Sequence, residues 1–177
     1  MSRPFEQGAQ NVTYGDSTLS GPKCNYYGAL DAGTGRQRLR LIAAGTANHP
    51  GKGRIDVYNR MMGGSAPLGW VSTSYSPVAD DWGGASGRYC GTEWHHPGDA
   101  TPWPDALMDL VVALNAAMCT VAGWGTHRLH MHAEHSARKI DMSWRRGQGG
   151  HDLRSAVAAR LVGTPTADWF DECFGAA

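Results

Sequence analysis

Residues 130–141, HMHAEHSARKID, place three histidines, a glutamate, an arginine, a lysine and an aspartate within twelve positions. Imidazole nitrogens and carboxylate oxygens are zinc donors, and a catalytic zinc site uses three protein ligands while leaving a fourth position for water. On a strand, side chains two apart share a face, so His130 and His132 point the same way while Met131 packs against the core. Either histidine can then be a ligand. His132, ending a strand, and Asp141, nine positions later beyond a loop that folds back, supply two of the three donors. In an extended loop Lys139 projects to the same side as Asp141 and sets an ammonium beside the metal, where it stabilises a developing oxyanion. An exposed, charged turn is the ordinary reading of a histidine-rich dodecamer, and spacing alone does not decide between the two.

The elements that must position these groups fit one domain, since 177 residues and 19.0 kDa are enough to bury a core. Sixteen basic and sixteen acidic side chains cancel, so overall charge directs the chain neither to nucleic acid nor to an anionic membrane. No apolar run approaches the roughly 20 residues needed to span a bilayer. The polar start, MSRPFEQGAQNVTYGD, lacks the apolar centre of a secretion signal. Cys24, Cys90, Cys119 and Cys173 form no CxxC pair and read as structural or free thiols.

Residues 1–23 show no sustained period and read as an irregular arm, leaving 24–177 as the folded domain. CNYYGAL and RLRLIAAG are strand-like, and the DAGTG between them has the turn residues of a hairpin. GRIDVYNRMMGG reads as a short helix closed by glycines, and Gly63–Gly87 as a long surface loop. RYCGTEW reads as a buried strand. After Pro102 and Pro104, the spacing of Leu107, Leu110, Val111, Leu114, Met118 and Val121 predicts a helix with one apolar stripe, ending near Gly123. RLHMHAE then reads as a strand and DLRSAVAARL as a closing helix. Strands interleaved with helices predict an α/β sheet covered by helices.

HAEHSARKID resembles the C-terminal metal motif of the zinc-dependent N-acetylmuramoyl-L-alanine amidases of type 2, the family that includes peptidoglycan recognition proteins and many phage endolysins. RLIAAGTANHPGKG is similar to the family's cleft-side segment, GPKCNYYGALDAG to the preceding hairpin strand, and YCGTEWHH with PWPDALMDLVVALNAAMC to its central strand and long helix. The resemblance implies a central mixed sheet flanked by helices. It implies an endolysin-type hydrolase that stays in the host bacterial cytoplasm until lysis and then cuts the bond between N-acetylmuramic acid and L-alanine in peptidoglycan. By the same resemblance His132 and Asp141 bind Zn2+ and Lys139 assists the transition state. His49 lines the substrate groove or caps a loop, Asn25 or Tyr26 helps position the attacking water, and Glu134 orients a ligand. Glu93 reads as part of a structural network. His95, His96, His127 and His151 read as solvated or structural, whereas Trp70, Tyr75, Trp82 and Trp94 serve either substrate stacking or the core.

The family's first zinc ligand is a histidine at the end of a strand upstream of the hairpin, and no histidine precedes His49 here. The sheet is therefore expected to lack the usual first strand. Three outcomes follow. A second polypeptide supplies the strand and its histidine, another side chain such as His130 or Cys24 completes the site, or the site is degenerate. The first and last make the chain a split partner or a non-catalytic peptidoglycan-binding module.

Overall fold

Three short strands form the scaffold of the computed structural model, which describes residues 4–69, 80–97, 101–139 and 150–163. β1 (Tyr26–Leu30) and β2 (Gln37–Leu41) make the expected antiparallel hairpin, with Tyr26 opposite Leu41 and Leu30 opposite Gln37. Asp31 builds the turn, its carboxylate accepting the N–H groups of Gly33 and Thr34 at 3.0 and 3.2 Å. β3 (Thr92–Trp94) runs parallel to β1 on its other side. The order β2-β1-β3 gives a small mixed sheet, and the α/β class holds.

Residues 4–14 depart from the expected irregular arm. They form helix α1 (Pro4–Tyr14), because Phe5, Ala9 and Val12 fall on one side of a helical turn and pack with Cys24, Tyr27 and Ala29 on one face of the sheet. Burying Phe5 alone contributes roughly 1.5–3 kcal/mol. Glu6 secures the same helix to β2, accepting from Arg38 at 3.1 Å and Arg40 at 2.8 Å.

The opposite face carries the larger core. Helix α2 (Ile55–Met62) buries Val57 and Met61 under Tyr89, apart from that core. Helix α3 (Asp105–Ala122) begins after Pro104 and ends in a left-handed Gly123, where the N–H groups of Gly123 and Trp124 return to the carbonyls of Thr120 and Cys119. Leu107, Val111 and Leu114 are buried as the spacing predicts. Val121 is exposed instead, and Met108, Ala116 and Cys119 complete the buried face, because α3 packs both on the sheet and on a later helix. By length and composition α3, with mean hydropathy 1.6, reaches the measure of a membrane-crossing helix, contrary to expectation. Its apolar face is nevertheless committed to the core with Leu30, Trp94 and Trp103.

Residues 129–135 also depart from expectation. After a one-turn segment (Thr126–Arg128), Leu129 and Met131 are extended but join no sheet, and His132–His135 form the short helix α4. The reason is local capping: the Glu134 carboxylate reaches back to the Met131 N–H at 3.1 Å and favours a helical turn over a strand. Helix α5 (Gly150–Gly163), as expected, follows and buries Leu153 and Val157 against α3.

Asn25 ties the sheet together. It is 7% exposed; its amide donates to the carbonyls of Ala43 and Gly45, and its side-chain oxygen accepts from Gly91. Its backbone also bonds Gly91 and Ile42, so one residue holds the start of β1, the exit of β2 and the entrance to β3. Losing these buried bonds costs about 2–3 kcal/mol, so Asn25→Ala is expected to lower the urea midpoint clearly. An unchanged midpoint would show that the strands do not depend on this side chain.

Candidate functional site

Three segments distant in sequence meet around one cavity of about 430 Å3: the loop after β2 with His49, β3 with Glu93, and residues 129–139. His49 sits directly on Gly91, where any Cβ would collide with its imidazole. One edge of that ring approaches Glu93, with Nδ1 3.4 Å from Oε1. Its face stacks on His132 at a centroid separation of 4.5 Å and an interplanar angle of 29°. Burial lowers the His49 pKa; the Glu93 hydrogen bond opposes this, while His132 and Lys139 reinforce it.

Behind this pair lies an aromatic cage. His130 tilts against Tyr89 at 4.5 Å and meets His135 edge-on at 5.4 Å. His135 is fully buried among Trp82, Tyr89 and His130, and its ring abuts Gly53, where a side chain has no room. Among the described residues neither of its ring nitrogens, nor the Tyr89 hydroxyl, has a hydrogen-bond partner, and their contacts are edge-to-face with neighbouring rings. Burial, then the neighbouring His132, lowers the His135 pKa to about 4, with Asp80 opposing. Burial likewise holds His130 well below its ordinary value, with the other imidazoles adding to the effect. His49, His130 and His135 are therefore neutral at pH 7.

Lys139 reaches the cavity wall from a turn held by Asp80. The Asp80 carboxylate accepts from the Ser136 hydroxyl at 2.7 Å, the Ala137 N–H at 3.0 Å and Arg138 Nε at 2.7 Å. Burial would raise its pKa, but these donors outweigh burial and hold it below the ordinary range. Glu134 bonds a guanidinium, so any orientation of an imidazole by it is indirect. It forms a two-to-two pair with Arg154, both contacts at 2.9 Å.

Of the residues singled out in the sequence, His49, His132 and Lys139 converge on the cavity. Asp141, Trp70, Tyr75 and Cys173 lie outside the described residues. Asn25 is a backbone clamp whose amide hydrogens are both committed to carbonyls, rather than a group facing substrate. Tyr26 is half-buried, its phenol pKa pushed up by burial and by the nearby Cys90, and it is not in the cavity wall. Cys24 lies in the α1 cluster and is not in the cavity wall, and burial with the Glu93 charge pushes its thiol up to about 12. His130 and His132 do not share a strand face, because His132 begins α4; both still line the cavity. Among the described residues no three metal-binding side chains gather into a set able to hold an ion. Trp94 lines the wall while packing on the core, and Trp82 belongs to the cage. His95 meets the Tyr27 hydroxyl at 2.9 Å, and His96 stacks on Trp103.

Glu93, expected in a structural network, opens into the cavity with its side chain 41% exposed. Its one mark in the sequence is that it is the single carboxylate in the otherwise uncharged segment CGTEW. No family model, no curated protein and no solved structure matches this chain.

The neutral cage carries a pH dependence. An unfolded imidazole protonates near 6.5 and folded His135 only near 4, so on acidification the unfolded state binds its proton first. The contribution is whole above about pH 6.5 and is lost as pH falls toward 4, with a size of roughly 3 kcal/mol for this residue. Urea midpoints are expected to drop between pH 7 and about pH 4.5, and His135→Phe to shrink that difference; an equal drop in both proteins would count against the cage.

Proposed function

We propose that the chain is a zinc-dependent peptidoglycan hydrolase of the type 2 amidase kind, cleaving the amide between N-acetylmuramic acid and L-alanine. The observation that carries this reading is the convergence of His49, Glu93, His132 and Lys139 on one cavity. The order of hairpin, cleft-side loop, strand and long helix supports that reading, whereas His132 opens a short helix where the family ends a strand.

The donor chemistry suits zinc in part. Metal binding needs unprotonated imidazoles, and the surroundings that keep His49 and His130 neutral supply such a setting beside His132. His132, with Asp141, would hold the ion, which supplies Lewis acidity and lowers the pKa of water toward 7. The Glu93 carboxylate, open to the cavity, is suited to accept a proton from the attacking water. The Lys139 ammonium donates to the oxygen on which negative charge develops at the scissile carbonyl. His49 keeps the Glu93 carboxylate oriented through its Nδ1 edge.

β3 favours a second reading. It ends the sheet among the described residues, and the whole strand lines the cavity. An extended segment of a second polypeptide can add to such an edge and bring the third imidazole with it. On that reading the chain alone binds peptidoglycan without cutting it.

Zinc content and the release of new amino groups from purified peptidoglycan test both readings. The wild-type chain is expected to hold zinc and to expose L-alanine amino termini, and His132→Ala to lose both. Lys139→Ala is expected to keep zinc while the rate falls about 100-fold or more. Retention on insoluble peptidoglycan with no amino groups released would favour the split-partner reading. Undiminished release by both variants would overturn the amidase.

A further inference from the structure

Arg154 does not border the cavity, yet it makes the most enclosed charge pair among the described residues. Its side chain is 10% exposed and that of Glu134 only 1%, whereas Arg138, which pairs with the buried Asp80, is 60% exposed. Arg154 Nη1 and Nη2 each lie 2.9 Å from one oxygen of Glu134, and Nη1 also donates to the carbonyl of Leu129 at 3.0 Å. Glu134 in turn accepts from the Met131 N–H. The pair thus grips the backbone at 129 and 131 and the side chain at 134, enclosing both His130 and the start of the turn that carries His132. A buried ion pair of this kind is seldom more stabilising than apolar side chains of equal volume. What apolar groups cannot reproduce is the planar fork, which fixes a carboxylate and a carbonyl in one orientation.

We propose that Arg154 is a positioning residue: through Glu134 and the Leu129 carbonyl it holds residues 129–134 so that the His132 imidazole faces the cavity and stacks on His49. The inference deepens the proposed activity and rests on its assignment of His132 as a zinc ligand, but its geometric part is measurable without metal. Arg154 is absent from the residues that the sequence singles out, because the helix bearing it follows the histidine stretch and nothing in DLRSAVAARL marks that arginine as buried.

The test compares wild type with Arg154→Lys and with the double variant Arg154→Met, Glu134→Leu, which leaves no lone buried charge. Three quantities are read: the urea midpoint, the nuclear Overhauser cross-peak between the His49 and His132 rings in metal-free protein, and zinc affinity. The double variant is expected to fold with an unreduced midpoint yet to lose the cross-peak, and zinc affinity to fall at least about 10-fold. Arg154→Lys is expected to lose the cross-peak as well, since charge without the fork does not rescue it; should the double variant fail to fold, this variant decides. A folded variant that keeps the cross-peak overturns the role of Arg154. Wild-type protein that shows the cross-peak but binds no zinc overturns the zinc reading and leaves the positioning role supported.

Discussion

A carboxylate and a guanidinium withdrawn from water must satisfy one another or the fold does not close around them. Glu134 and Arg154 meet that constraint with parallel contacts, and the bonding capacity left over is used on backbone: Nη1 of the fork takes the Leu129 carbonyl as well, and the carboxylate takes the Met131 N–H. The pair therefore couples α5 to the short turn around which the imidazoles emerge. Beside it, the packing of Leu129 and Met131 with Leu153 and Val157 makes the same connection in apolar terms.

The cavity depends on two further constraints of the same physical kind. Asn25 holds the mouth of the sheet by satisfying backbone groups that would otherwise be buried without partners. Asp80 holds the turn before Lys139 with three donors. Between these clamps sit rings, not charges. His49, His130 and His135 are kept neutral by their surroundings, and the charged side chains of the cavity wall, Glu93, Lys139, Arg88 and Arg128, border a lining otherwise rich in rings.

Features set by neighbours along the chain are legible in the residues themselves. The hairpin follows from two strand-like runs joined by DAGTG, and α3 from its apolar spacing between prolines and Gly123. Features set by distant packing are not. α1 shows only Phe5, Ala9 and Val12 as apolar contacts, with Gly8 lowering helix propensity within it, so its helical period is faint until the sheet supplies a surface. The alternation of His130 and His132 imitates a strand, and only the reach of Glu134 back to Met131 turns the chain into α4. Asn25 carries no local sign that its amide will be spent on Ala43, Gly45 and Gly91, and Glu93 none that its strand borders a cavity.

The parallel placement of β3 has a consequence for how the chain reaches its native state. β1 and β2 are joined by a tight turn and can zip locally, but the Asn25–Gly91 bond closes a span of 66 residues. The chain entropy lost in closing so long a loop is recovered only when β3, α3 and the histidine turn are docked together. The hairpin thus closes at a smaller entropic cost than the cleft, whose walls come from segments far apart along the chain.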